Sequence, residues 1–317
     1  MMNSKITLRT LLVRNSVPAE RGIVGMDHSH YEWNPISTRP PIKWPSGDRV
    51  ALAVIVNLEC IEAKPPPGAH QLSDLYSRGM PDYRNMSHRD YGHRVGIFRV
   101  LDVLEKYGIR PTLALDAMTI TNYPWLVKYI AGRDWGVIGH GISLSQIISS
   151  RMTEESERSY IKETIDVIEK GFGFRPKGWL GTEYGESSIT PRLLAESGIE
   201  YLCDWVNDEQ PYLMTTPVGK IFSLPLLLDL DDQFALKDRG FEVDAYSGMI
   251  KMAFDRLYQD STTSGRLMIL HIHPWIMGQP FRIGYLDEAL DYIVSRHSVW
   301  KASGDEIIDW YSEGLVR

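Results

Sequence analysis

Apolar residues arrive along this chain in two alternating rhythms. Runs such as DRVALAVIVNLE, residues 48–59, are β-branched and almost unbroken, as suits a strand buried on both faces. Stretches of helical period follow, beginning with GHRVGIFRVLDVLEKYG, where Gly108 stands at the expected stop. The exchange then repeats. PTLALDA, WGVIGHG, PKGWL, IEYLCD, IFSLPLLLD and RLMILHIH are predicted as strands. YPWLVKYIAG, TEESERSYIKETIDVIEKGFG, TPRLLAESG, EVDAYSGMIKMAFDRLYQ and YLDEALDYIVSRH are predicted as helices. Thr153, ahead of Glu154 and Glu155, supplies a capping side chain and an acidic first turn. Alternating strand–helix units imply an α/β fold with a parallel sheet. About seven or eight units with no obvious linker favour a barrel over an open sheet. No glycine-rich phosphate fingerprint follows the first strand, which argues against a dinucleotide fold.

The first 48 residues break the rhythm: they are rich in Pro, Ser, Asn and Arg, and are expected to form an irregular N-terminal extension. Residues 49–317 are expected to form a single barrel domain. Inside it, KPPPGAHQLSDLYSRGMPDYRN reads as a long loop, and loops of that length are usually functional or disordered. The net charge of −7, without a long basic run, argues against nucleic acid as a partner. Apolar stretches fall short of the roughly 20 residues that span a bilayer, and nothing at the N-terminus reads as a secretion signal. Two cysteines in apolar contexts, Cys60 and Cys203, suit a reducing cytoplasm.

Chemistry enters at the strand ends, where a barrel of this kind keeps its site. Asn57 and Glu59 end the first strand, Asp116 the second and His140 the third. Arg175 precedes the fourth, Asp204 ends the fifth and Asp229 the sixth. His271 and His273, two apart and therefore on one face, end the last. A carboxylate, imidazoles and an arginine meeting at one mouth suit general acid–base hydrolysis. Each also has a structural alternative: Asp204, Asp229 and Asp232, as strand-end aspartates, could equally cap the next helix. Cys60 reads as a small buried hydrophobe. His28 and His30 read as solvated or loop-packing, and His70, His88, His93 and His297 as surface or helix residues.

The motifs KWPSGDRVALAVIVNLE, YGHRVGIFRVLDVLEKYGIRPTLAL, WGVIGHG, RPKGWLG, YLCDWVNDEQPY and LHIHPWIMGQP, in this order, resemble the polysaccharide deacetylase superfamily (carbohydrate esterase family 4). The likeness is greatest to its metal-independent branch, the cofactor-free allantoinases and cyclic imide hydrolases. It runs from about Trp44 to the C-terminus and implies a distorted (β/α)7 barrel. Sugar-deacetylating members carry two aspartates where this chain has Glu59 and Cys60, and two histidines where it has His140 and Leu144. The usual metal triad is thus broken twice, because leucine offers no ligand. The resemblance makes His273, in His273-Pro274, the active-site histidine, and Arg175 the arginine that holds Glu59.

Without a metal to polarise the carbonyl, a small cyclic amide, ureide or imide is a more reactive substrate than an N-acetyl sugar. Glu59, His140, His273 and Arg175 are the expected catalytic residues, with no cofactor. Asp204 or Asp229 is expected to fix an imidazole tautomer. Trp179, Glu183, Asp204, Trp205, His271 and Trp275 are the expected substrate contacts, and Tyr184 joins the aromatic residues crowding the mouth. Glu183 stands where allantoinase-like proteins tend to have arginine, which favours a neutral or cationic substrate group. One rival is a metal-dependent deacetylase holding Zn²⁺ through Glu59, Cys60, His140 and His273; another is a non-catalytic barrel that binds a small molecule. The family further implies a homo-oligomer, tetramer or dimer.

Overall fold

A computed structural model of the chain describes residues 28–69 and 81–316. Its strands are β1 (Val50–Leu58), β2 (Thr112–Leu115), β3 (Gly136–Gly139), β4 (Gly178–Trp179), β5 (Tyr201–Leu202), β6 (Tyr212–Thr216), β7 (Gly219–Ser223), β8 (Arg266–Ile272) and β9 (Val299–Lys301). Among the described residues one sheet runs β6-β7-β5-β4-β3-β2-β1-β8, with β9 added beside β1. All neighbours in it are parallel except β6 and β7. Leaving aside β6 and β9, seven parallel strands remain, and the sheet curls into the expected distorted barrel. The path ends at β6 and β8, where Leu267 N–H donates to the Glu209 carbonyl at 2.9 Å across the gap.

The helices are α1 (Tyr83–Tyr91), α2 (Ile97–Lys106), α3 (Ala117–Asn122), α4 (Pro124–Ala131), α5 (Glu154–Phe172), α6 (Thr190–Glu196), α7 (Val243–Asp260), α8 (Pro274–Met277), α9 (Ile283–Val294) and α10 (Gly304–Val316). Thr153 caps α5 by accepting from the Ser156 N–H, as its position predicts. Six elements lie outside the expected set: α1, α3, α8, α10, β6 and β9. The hairpin partner β6 is amphipathic rather than a continuous apolar run, and short β9 and C-terminal α10 were likewise unmarked by periodicity. The segment read as loop through Asn85 is already helical from Tyr83, because Asp82 accepts from the N–H groups of Arg84 and Asn85.

Strand alternation divides the core in two. Ala51, Ala53 and Ile55 of β1 face the barrel interior with Leu267 and Ile269 of β8 and with Trp44, which plugs the far end. Leu52, Val54, Val56 and Leu58 face the helices, with Met268, Leu270 and Ile272. Continued past the strand, this parity sends Asn57 and Glu59 inward with His271 and His273, and Cys60 outward. A turn of wider pitch at Gly92–Gly96 joins α1 to α2 and lies against α8. There the backbones almost touch: a Cβ on Gly96 would stand 2.0 Å from the Pro274 carbonyl oxygen, and one on Gly278 would stand 2.4 Å from Gly96 Cα.

Candidate active site

The inward residues at the carboxyl end of β1, β3 and β8 meet. Glu59 Oε1 lies 2.9 Å from His140 Nε2, and Glu59 Oε2 accepts from Arg89 Nη1 at 3.1 Å. His140 Nδ1 donates to the Leu180 carbonyl at 2.6 Å, so a second proton on Nε2 makes the ring an imidazolium facing a carboxylate. Burial opposes charge on His140, but the bond to Glu59 outweighs it and raises the ring's pKa. Burial likewise opposes charge on Glu59; His140, then His273 and Arg89, hold its carboxyl well below the usual range.

His273 is fixed from behind. Its Nδ1 donates to Asp232 Oδ1 at 2.6 Å, and its backbone N–H reaches the same carboxylate at 2.9 and 3.0 Å. Burial would depress this imidazole; Asp232 and Asp231 override it and lift the pKa to about 9. Asn57 Nδ2 stands 3.3 Å from His140 Nε2 and 3.2 Å from His273 Nε2, while its Oδ1 has no partner. Two protonated rings need an acceptor between them, so their charge selects the opposite amide orientation, oxygen inward. His271 lies beside this set, its Nδ1 2.8 Å from both Asp231 Oδ2 and the Tyr184 hydroxyl.

Two cavities border Glu59. The inner one, lined by Asn57, His140, Glu183, Asp231, His271 and His273 among others, has about 10 Å³ of free space. That is room for about one enclosed water. The outer one offers about 450 Å³ between α1 and α3, lined by Cys60, Tyr83, Met86, Arg89, His93 and Tyr123 among others. Glu59 belongs to both walls.

Several expected contacts lie elsewhere. Arg175 is an exposed residue that pairs with Glu169 at 2.9 Å, and it precedes β4 at the end of the barrel away from the mouth. Its assigned task falls to buried Arg89, whose guanidinium also lies 4.5 Å from the Trp275 ring centroid. Trp275 therefore packs on the arginine instead of lining either cavity. Trp179 is fully buried on the helix-facing side with Leu193 and Leu202, as strand parity requires once Leu180 points inward. Trp205 donates to Glu186 and is covered by the rings of His28, His30 and Tyr31. Asp204 accepts from the Gly181 N–H at 2.7 Å and touches neither histidine, and burial raises its pKa to about 7. Asp229 is exposed beside Arg239, so Asp232 and Asp231 orient the imidazoles in its place. Asp116 caps α3 and accepts from the Cys60 N–H.

Glu183 does line the inner cavity, at the start of a left-handed pair with Tyr184 (φ 51° and 56°). It accepts from Gln233, whose own oxygen accepts from Arg89. His93, read as a surface or helix residue, is buried. His70 lies outside the described residues. Arg89 was missed because it lies in the gap between the segment read as loop, which ends at Asn85, and the helix read from Gly92; its signal is the S-H-R-D-Y run at helical spacing ahead of the glycine turn.

The deacetylase metal set does not fit here. Leu144, in the second histidine's place, is fully buried and donates its N–H to the Cys60 carbonyl. The Cys60 thiol, on the opposite face from Glu59, contacts Thr119 Oγ1 at 3.5 Å, and burial pushes its pKa up. Asp231, His271 and His273 form the one group of metal-ligand type among the described residues, with ligand atoms within 4.8 Å of one another.

A family profile described as polysaccharide deacetylase matches residues 89–202. A putative polysaccharide deacetylase of Schizosaccharomyces pombe is 23% identical, over 88% of this chain and 94% of that protein. The crystal structure of PuuE allantoinase superposes with a TM-score of 0.78 at 25% identity, covering 87% of this chain and 95% of that one. A probable polysaccharide deacetylase from Pseudomonas aeruginosa PAO1 superposes equally well at 24% identity, covering 87% and 96%, and shares the fold. No helix among the described residues is long and apolar enough to cross a membrane.

Proposed function

From a chain that belongs to the polysaccharide deacetylase superfamily and is a hydrolase of carbon–nitrogen bonds other than peptide bonds, we propose an enzyme that opens a small cyclic amide, ureide or imide. The observation that carries this reading is the shared wall: Glu59 separates a one-water cleft from a chamber of about 450 Å³. A cavity of a few hundred Å³ has room for a small ring beside Glu59. The allantoinase among the structural relatives supports the same substrate class.

In this mechanism the substrate carbonyl enters from the chamber and water waits in the cleft. Glu59 orients that water and is a weak base while His140 and Arg89 both donate to it. As the water oxygen bonds to the carbonyl carbon, negative charge grows on the carbonyl oxygen. His140 turns its donation toward that oxyanion, which frees Glu59 to take the water's proton. His273, held protonated by Asp232, gives its proton to the departing ring nitrogen as the C–N bond breaks. Because the deacetylase metal set does not fit, no step is routed through a metal.

The name of the Schizosaccharomyces pombe relative favours a second reading, removal of an acetyl group from an amino sugar or polysaccharide. A panel of hydantoin, dihydrouracil, succinimide, glutarimide, allantoin and N-acetylglucosamine oligomers separates the two. Each is assayed after chelation and after zinc addition. Ring opening that survives chelation is the expected result; turnover confined to acetylated sugars with zinc present refutes the first reading.

A further inference from the structure

A buried amide that the mechanism does not use stands between the two reacting histidines. Asn57, in β1, is 3% exposed, and the alternation that sends Glu59 inward sends it inward too. Its amide terminus lies 3.3 Å from His140 Nε2 and 3.2 Å from His273 Nε2. The protons on the two rings follow from their other contacts. His140 Nδ1 faces the Leu180 carbonyl, a pure acceptor, so Nδ1 carries a proton. His140 Nε2 faces Glu59 at 2.9 Å, and Arg89 donates to the other oxygen, which favours the ionised carboxylate; Nε2 therefore carries a proton as well. An amide NH2 aimed at that N–H would set donor against donor. Turned about, Asn57 brings its Oδ1, which otherwise meets no donor, onto the ring. The same oxygen then faces His273 Nε2, and an acceptor there calls for a proton on that nitrogen too. His273 Nδ1 already donates to Asp232, so both of its nitrogens are protonated.

We propose that Asn57 is a positioning residue for His273: its amide oxygen bridges the two ring N–H groups, so the proton between Glu59 and His140 obliges His273 to keep the one it gives away. This inference rests on the hydrolytic reading and names what loads the acid before each turnover. When the departing nitrogen takes the proton, the N–H bond at Nε2 breaks and its electron pair stays on the ring. The charged groups around His273 act in the same direction. Burial opposes charge on the ring, but Asp232, Asp231 and Glu59 draw its pKa up to about 9. Glu183 lines the same cleft, and His271 is turned to Asp231. Asp232 stands behind Nδ1, whereas the contact at Nε2, the nitrogen that delivers the proton, is Asn57.

Long-range ¹H–¹⁵N spectra of the full chain at about pH 8, one pH unit below the ring's midpoint, tell a protonated ring nitrogen from a bare one. His273 is assigned through His273→Gln. Wild-type His273 should carry protons on both nitrogens; a bare Nε2 in the wild-type protein overturns the assignment without any variant. Asn57→Leu has nearly the same shape and no acceptor. Its balance of protonated to neutral His273 should shift about tenfold toward the neutral form, with Nδ1 still protonated against Asp232. On whichever ring of the substrate panel the wild type opens, kcat should fall about tenfold while KM stays within about twofold. Asn57→Asp keeps an oxygen between the rings and should restore the Nε2 proton, which a packing defect could not do. Thermal unfolding checks that both variants fold. An Asn57→Leu protein that folds and keeps the wild-type proton occupancy overturns the assignment. The two readings fail differently: the Nε2 proton lost as described, in a protein whose wild type opens no ring, refutes the hydrolytic reading alone. Rings opened by the wild type, with Nε2 unaffected in Asn57→Leu, refute the role of Asn57 alone, and neither effect overturns both.

Discussion

Replacing Asp232 with asparagine removes the carboxylate behind His273 and leaves the imidazole's other surroundings in place. The amide oxygen of the asparagine can still accept the His273 backbone N–H, so the lost quantity is charge. In the wild-type protein the ring's pKa stands at about 9, against an ordinary 6.5. The difference, 9 − 6.5 = 2.5, corresponds to about 3.4 kcal/mol at 1.36 kcal/mol for each pH unit. Asp232 is the larger of the two carboxylate contributions; Asp231, 3.9 Å from Nδ1, is the smaller. Losing at least half the lift places the ring of the variant at or below about 8. Because the folded pKa is the raised one, the stability it confers is complete below pH 6.5 and is lost as pH climbs from there to about 9. In the variant that loss is smaller and ends near pH 8. Two measurements check this: an NMR titration of the His273 ring, assigned by comparison with His273→Gln, and urea unfolding across pH 6–10. Identical ring midpoints in the two proteins would show that Asp232 does not govern the proton, and the argument for His273 as an acid would go with it.

Three further outcomes follow from the site and its scaffold. Glu59→Gln keeps a side chain able to bond His140 but cannot take a proton, so turnover should fall more than about a hundredfold; an unchanged rate removes Glu59 from the mechanism. Arg89→Gln strips a buried partner from Glu59 and should cost about 3–5 kcal/mol in urea unfolding along with most of the activity. Arg175→Gln, by contrast, should stay within about 0.5 kcal/mol with full activity, and the reverse pattern would reinstate Arg175 as the residue that holds Glu59. Gly96→Ala should destabilise by about 3 kcal/mol, the upper end of overpacking costs, because the added methyl meets backbone that cannot rotate away. A loss below about 1 kcal/mol would mean that α8 shifts freely.

The barrel was legible because its strands are buried on both faces and read as unbroken apolar runs. β6 was not, since its residues alternate between buried and partly exposed and sit on the sheet's edge. At the site, Glu59, His140 and His273 were legible because each follows an apolar strand by one or two residues, where side-chain direction is fixed by alternation. The same rule, applied to Trp179 next to inward-facing Leu180, would have placed that ring among the helices. Arg89 was missed, and Asp232 was left balanced between a site role and a helix cap. Each reaches the site from a helix or turn distant in sequence, Arg89 from 30 residues beyond Glu59 and Asp232 from 41 before His273, so no local period marks them. His93 looked like a solvated helix residue because its helix changes pitch at Gly92–Gly96 and turns that face inward.

The contact between Gly96, Pro274 and Gly278 ties together two parts of the chain that carry opposite halves of the chemistry. Arg89 lies about two helical turns before Gly96 and His273 one residue before Pro274, so the clamp on the carboxylate and the proton donor are mounted on one joint. Their separation is set by backbone atoms in van der Waals contact, which exchanges away from these two glycines leave in place. Altered substrate preference in variants of this chain should therefore arise from Tyr83, Met86, His93 and Asn122, which shape the space for the ring and leave the spacing of the machinery unchanged.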